Sequence, residues 1–245
     1  MTADRPGWLP FAARLTLFGT DDQVFDSGRL LALYGVEAES TSTSSVKREA
    51  QASASYGAGK INFTLRPGRA DIVWEVPFSD DMVMLGALDQ VVSLMLGPLN
   101  SWIKERSWHR VALGLRAGRQ VASHVEGYAE VAAKLPNLSL DGERCSDFVF
   151  QINRFKDVQV DGRNFRVNRL AKWAVIRFET AQLTGDLALG RFLESEVLQS
   201  VLVASVELDM NTAPEMKEPL SGEQALKLLN LCAAESQAIV DQGDV

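Results

Sequence analysis

Alternating apolar and polar positions predict a series of β-strands. In KINFTLR (60–66), apolar residues occupy every second position, as in a sheet with one face exposed to water. RADIVWEV (69–76) alternates in the same way, and Pro67 and Gly68 between the two runs are typical turn residues. The pattern therefore predicts a hairpin. Further strands are predicted near 12–19, 48–56, 108–118, 147–160, 163–179 and 199–210.

Apolar residues at spacings of three and four predict a long helix over residues 82–103. We expect it to begin near residues 79–81, Ser-Asp-Asp, because a serine cap and two acids suit the positive end of a helix dipole. This is the most apolar segment of the chain, but Gly97 and Pro98 interrupt it. A buried helix is therefore favoured over a membrane span.

Capping signals predict two more helices. SHVE at 123–126 matches a capping box, and the helix that it opens should stop before Pro136. Ser221, with Gln224 three residues later, opens a final helix that continues to about Gln242.

The order of these elements predicts two similar halves, residues 1–106 and 107–245. Each contains a strand, a helix, three strands and a helix, with a short helix at 27–35 in the first half and a mobile surface loop, ESTSTSS, at 39–45. The two halves share the order of elements but no evident residue identity. The predicted fold is α+β, an extended antiparallel sheet with long helices packed on one face, built as a tandem β-α-β-β-β-α pseudo-repeat in one continuous domain.

This order of elements resembles tandem saddle folds of the TATA-binding-protein type and, more loosely, helix-grip ligand-binding folds. The resemblance is architectural. It implies a broad curved sheet with helices behind it, and it implies no function because no functional motif accompanies it.

Four basic residues lie in one predicted strand, RNFRVNRLAKW (163–173). Asp161 and Gly162 before it are a strong hairpin signal. A two-residue turn there places Arg154 opposite Arg169 and also pairs apolar residues of the two strands with each other, which supports this register.

Arg154 and Arg169 are thus predicted to face each other on the apolar side of the sheet. Like charges directly opposite are destabilising unless a negative group lies between them, and Glu207 and Asp209 of the strand VLVASVELD are the predicted internal partners. A structural charge cluster of these four residues is the favoured interpretation. A bulge that turns one arginine away and a binding site for a phosphate, a carboxylate or a partner's acid are the alternatives.

Charge and composition narrow the classes of function. The 245 residues include 32 acidic and 25 basic side chains, a formal net charge of -7, which disfavours general nucleic-acid or anionic-membrane binding. Cys145 and Cys232 are far apart and outside any CxxC motif, so neither disulfides nor zinc are predicted. The N-terminus lacks the pattern of a secretory signal, and we expect a cytoplasmic location.

No motif fixes a chemistry. The two histidines have no metal-site or triad spacing, and neither a nucleophile elbow nor a phosphate-binding loop occurs. The sequence therefore predicts no catalytic residue, no metal and no cofactor. The favoured function is a non-enzymatic binding protein that presents a curved antiparallel sheet to a protein partner or to a second copy of itself. The alternative is a small-molecule-binding protein or enzyme whose cavity, between sheet and helices, holds an anionic ligand.

Overall fold

One nine-stranded sheet organises the part of the chain that the structure describes. This computed structural model describes residues 7–19, 31–77, 83–186, 191–215 and 218–243. The strands are β1 Leu9–Gly19, β2 Ser40–Ser44, β3 Glu49–Tyr56, β4 Gly59–Arg66, β5 Arg69–Glu75, β6 Trp108–Val121, β7 Val149–Val160, β8 Arg163–Asp186 and β9 Arg191–Thr212. The helices are α1 Leu88–Leu96, α2 Asn100–Lys104, α3 His124–Lys134 and α4 Gly222–Gln242. The predicted α+β class with an antiparallel sheet is confirmed, although the sheet dominates and most of the helices are short.

The strands lie in the order β2-β3-β4-β5-β1-β6-β9-β8-β7, and neighbours are antiparallel. The central pair is β1 and β6, which come from the two predicted halves. Outward from this pair, β1 is followed by β5, β4, β3 and β2, and β6 is followed by β9, β8 and β7. The tandem pseudo-repeat and its boundary at residues 106/107 stay predictions.

The described helices pack on one face of the sheet, where the main core lies. Alternate residues of a strand point to opposite faces, and Leu15 and Leu17 of β1 point to the face that the helices cover. They belong to one buried apolar cluster with Val91 of α1, Val131 of α3 and Leu228 of α4. We call the other face, which carries no described helix, the open face.

The long helix predicted over residues 82–103 is wrong in its extent, because the segment forms the two separate helices α1 and α2. Pro98 has no N–H to donate to the carbonyl of Leu94, so the first helix ends before it. The Tyr56 hydroxyl donates to that carbonyl at 3.4 Å. The predicted start at 79–81 lies outside the described residues. Within the described residues, no helix combines the length and the apolar character needed to cross a membrane.

Two other predictions in the first half are not met in full by the described residues. The segment 39–45, predicted as a mobile loop, instead contains strand β2, which pairs with β3 along its whole length. Its serines and threonines alternate between faces, and the hydroxyls of Ser40 and Ser53 are 2.7 Å apart. The short helix predicted at 27–35 lies partly outside the described residues; residues 31–33 are helical.

The predicted hairpin between β7 and β8 is confirmed in turn and in register. Asp161 and Gly162 have φ angles of 49° and 78°, as a type I′ turn requires, and Arg154 pairs with Arg169. Both β8 and β9 extend further than predicted. Residues 178–186 and 191–201 pair only with each other among the described strands, and they form a two-stranded ribbon beyond the neighbouring strands.

Candidate functional site

The structure places the four predicted site residues on two different faces of the sheet. Arg154 and Arg169 lie opposite each other on the helix-covered face. Glu207 and Asp209 belong to the open face, because it is Met210 that pairs with Arg169. The four residues therefore do not form one cluster.

A carboxylate of helix α4 contacts the predicted arginine site instead. Arg169 Nη1 is 3.4 Å from Glu235 Oε2, and Lys156 Nζ is 2.5 Å from Glu235 Oε1. Glu235 is largely buried, as is the Arg169 side chain. Glu235, and not Glu207 or Asp209, is thus the acid beside Arg169, and this ion pair ties α4 to strands β7 and β8.

A cleft of about 480 Å³ lies on the open face, over the strands β5, β1, β6 and β9. Its floor is low because the central strands carry short side chains there, and Gly114 faces Arg14 directly across the strand pair. A Cβ atom at Gly114 would lie 3.4 Å from the Cβ of Arg14, so a larger residue would crowd this arginine. The charged residues that line this central cleft are Arg14, Arg69, Arg110, Arg116, Glu75, Glu207 and Asp209.

Asp71 lies buried beneath one end of the central cleft, where it holds the side chains of Arg14 and Arg69. It is 6% exposed and accepts hydrogen bonds from Arg14 Nη2, Thr16 Oγ1 and Arg69 Nε, each at 2.7 Å. Burial by itself would raise the pKa of Asp71, but the hydrogen bonds from Arg69, Arg14 and Thr16 outweigh burial and lower this pKa below its ordinary value. Asp71 is therefore ionised at neutral pH and fixes both guanidinium groups.

Phe18 brings a third guanidinium to the same end of the cleft. The guanidinium carbons of Arg69 and Arg110 lie 5.1 and 5.5 Å from the centre of the Phe18 ring, within the range of cation–π attraction. Arg110 Nη2 also donates to Asn211 Oδ1 at 2.7 Å. We call Arg14, Arg69 and Arg110, with Asp71 and Phe18, the arginine cluster.

The opposite side of the cleft is acidic. Glu207 Oε1 is 3.6 Å from Arg116 Nη2, and Lys172 lies opposite Glu207 in the register of β8 and β9. Asp209 Oδ1 accepts a hydrogen bond from Asn211 Nδ2 at 2.9 Å. Asn211 thus connects the acidic side to Arg110. The cleft can accordingly hold a partner that carries both negative and positive groups.

Sequence reasoning missed the arginine cluster although its strands were predicted. In the predicted strand at 12–19, Arg14, Thr16 and Phe18 alternate with Leu15 and Leu17, which is the signal for a polar face. The alternation does not predict which strands lie next to each other in the sheet. The cluster exists because β1 lies between β5 and β6, which are remote from each other in sequence.

The described residues contain no candidate metal site, because no group of three or more His, Cys, Asp or Glu side chains among them could hold an ion. His124, a candidate that the sequence disfavours, lies with its Nε2 3.1 Å from Arg177 Nη2 on the helix-covered side. Comparisons with protein-family models, curated proteins and solved structures found no match for this chain.

Proposed function

We propose that this chain is a binding protein that presents the open face of its sheet to a protein partner, with an extended, charged segment of the partner lying in the central cleft. The observation that supports this most is the cleft itself. It crosses four adjacent strands and is lined by guanidinium and carboxylate groups, while the main apolar core lies under the helices. The open face also carries a smaller apolar cluster around Phe11, Val201 and Val203.

The chemistry of the cleft favours recognition of charge over burial of apolar surface. Arg14 and Arg116 are half exposed, with side-chain exposures of 50% and 54%, so both reach solvent where a partner can contact them. Guanidinium groups bind carboxylates and phosphates with two parallel hydrogen bonds, which gives specificity as well as affinity. A partner segment with alternating charges would match the separated basic and acidic sides of the cleft.

Affinity capture with a charge reversal in the cleft tests this proposal. Arg116→Glu places an acid next to Glu207 and should abolish capture of any partner that the wild-type chain retains. Lys104→Glu is the matched control, since Lys104 is also half exposed and ion-paired but belongs to α2 on the helix side. Retention of the partner by Arg116→Glu, its equal loss by both variants, or no partner for the wild-type chain would contradict the proposal.

A small anionic ligand in the same cleft is the second candidate, and the volume favours it. About 480 Å³ lies within the range of small-molecule sites. The central cleft lies on the open face of the sheet. The sequence instead predicts a ligand cavity on the other face, between the sheet and the helices. Native mass spectrometry of the purified chain separates the two candidates, because a small ligand adds a discrete mass.

The predicted cytoplasmic location, the second copy as a partner and the lack of enzymatic activity stay part of the proposal.

A further inference from the structure

The arginine cluster has the composition of an anion-binding subsite. We propose that Arg14, Arg69 and Arg110 bind a dianionic oxyanion of the phosphate class. This inference rests on the proposed function, because it names the chemical group that an occupant of the central cleft would place at its basic end.

The charge of the cluster selects a dianion. Arg14 and Arg69 share the carboxylate of Asp71, and Arg110 has no carboxylate partner among the described residues, which leaves an excess of two positive charges in the cluster. Of the other acids that line the cleft, Glu207 contacts Arg116, while Glu75 and Asp209 form no ion pair with the cluster arginines in the described part of the chain. A phosphate monoester carries a charge close to two at neutral pH, whereas a carboxylate carries one. A phosphate group therefore balances the excess and a carboxylate does not.

The cluster also retains hydrogen-bond donors. A guanidinium group has five N–H donors, and Asp71 takes only the Nε and Nη2 donors of Arg14 and Arg69. Arg110 gives Nη2 to Asn211 and has no carboxylate partner among the residues that the structure describes. The Nη1 groups of the three arginines have no acceptor within the described residues. Each can donate to an oxygen of a bound anion.

The donors are held in place before any anion arrives. Asp71 is buried and fixes two of the guanidinium groups, and the Phe18 ring lies beside two of them. Side chains that are already ordered lose less conformational entropy on binding, so more of the interaction energy appears as affinity. This distinguishes the cluster from isolated surface arginines, which move freely.

Titration calorimetry of the full chain with inorganic phosphate tests the subsite, with sodium chloride at matched ionic strength as the reference. We expect saturable phosphate binding that Arg110→Gln weakens by about tenfold or more, because a charge-assisted contact is lost. Arg14→Gln should have a similar effect. Arg110→Gln leaves every contact of Asp71 intact, so its result does not depend on the stability of the Asp71 network.

Arg177→Gln is the matched control. The Arg177 side chain is 49% exposed, close to the 50% of Arg14, and it lies on the helix-covered face beside His124. Phosphate binding should be unchanged in this variant. No saturable binding, equal weakening by Arg177→Gln, or unchanged binding by both cluster variants would overturn the proposal. Acetate binding as tight as phosphate binding would overturn the preference for a dianion.

The source of the phosphate is decided by comparing inorganic phosphate with a phosphoserine peptide. Tighter binding of the peptide, still sensitive to Arg110→Gln, supports a phosphorylated partner; equal binding supports a free anion.

The subsite and the proposed function can fail independently of each other. If phosphate does not bind while Arg116→Glu still abolishes partner capture, the subsite is wrong and the proposed function stands. If phosphate binds as expected while Arg116→Glu retains the partner, the subsite stands and the proposed function is wrong.

Discussion

Replacing Asp71 by asparagine should destabilise the fold measurably. Asparagine has nearly the same volume but no charge, so Arg14 and Arg69 lose their common anion. Each hydrogen bond to a charged group is worth about 1.5–3 kcal/mol. The full sum is not expected, because the side chains of Arg14 and Arg69 are 50% and 33% exposed and water replaces part of the interaction. We expect Asp71→Asn to lose about 2 kcal/mol of unfolding free energy at neutral pH.

Urea unfolding of both proteins, followed by circular dichroism, measures this difference. Asp141→Asn is the matched control: Asp141 pairs with Arg144, and both side chains are more than half exposed, so its loss should be within about 0.5 kcal/mol. A loss for Asp71→Asn no larger than that of the control would refute the reasoning.

The pH dependence of the same difference gives an independent check. The pKa of Asp71 is lowered in the folded protein, so the unfolded chain binds the proton more readily. The stability that Asp71 contributes is therefore complete above the ordinary aspartate pKa of about 3.9 and is lost as the pH falls through the lowered folded-state pKa. The gap between wild type and Asp71→Asn should narrow in acid. A gap that stays constant there would contradict the assignment of charge.

Three further outcomes are expected elsewhere in the molecule. Glu235→Gln removes the ion pairs that join α4 to β7 and β8 and should lower the unfolding free energy by about 1 kcal/mol; an unchanged urea midpoint would argue against it. Gly127→Ala places a Cβ atom 2.8 Å from both γ carbons of Val175, so this helix substitution should destabilise by about 1–3 kcal/mol, and a gain in melting temperature would contradict the packing. Burial raises the pKa of the Cys232 thiol to about 12, so a thiol reagent should modify Cys145 in the native protein but Cys232 only after unfolding.

Local signals in the sequence predicted most of the strands correctly. Strict alternation placed β4, β5 and the core of β8, and the Asp161-Gly162 turn determined the register of β7 and β8 to the residue. The final helix followed from its capping box, which the structure contains at Ser221 and Gln224. These features depend on residues close in sequence, which is why a single sequence is enough to predict them.

The errors came from contacts between residues far apart in sequence. Glu235 is on a helix, so strand alternation could not indicate that it reaches Arg169. The arginine cluster depends on β1 lying between β5 and β6, and nothing in the local pattern gives that order. β2 looked like a loop because its side chains are polar, although threonine favours extended backbone and β3 provides the hydrogen bonds.

The position of β1 and β6 at the middle of the sheet has a consequence for folding kinetics. The meander β2 to β5 and the meander β7 to β9 each consist of consecutive antiparallel strands, so each strand pairs with the next one along the chain. By contrast, β6 reaches β9 only through contacts of high sequence separation, such as Gly114 with Asp209. Pairings of this kind have high contact order and form slowly. We therefore expect the two meanders to form early and to be joined late by the central strands, so that the cleft, whose floor is β1 and β6, is among the last parts of the protein to acquire its native shape.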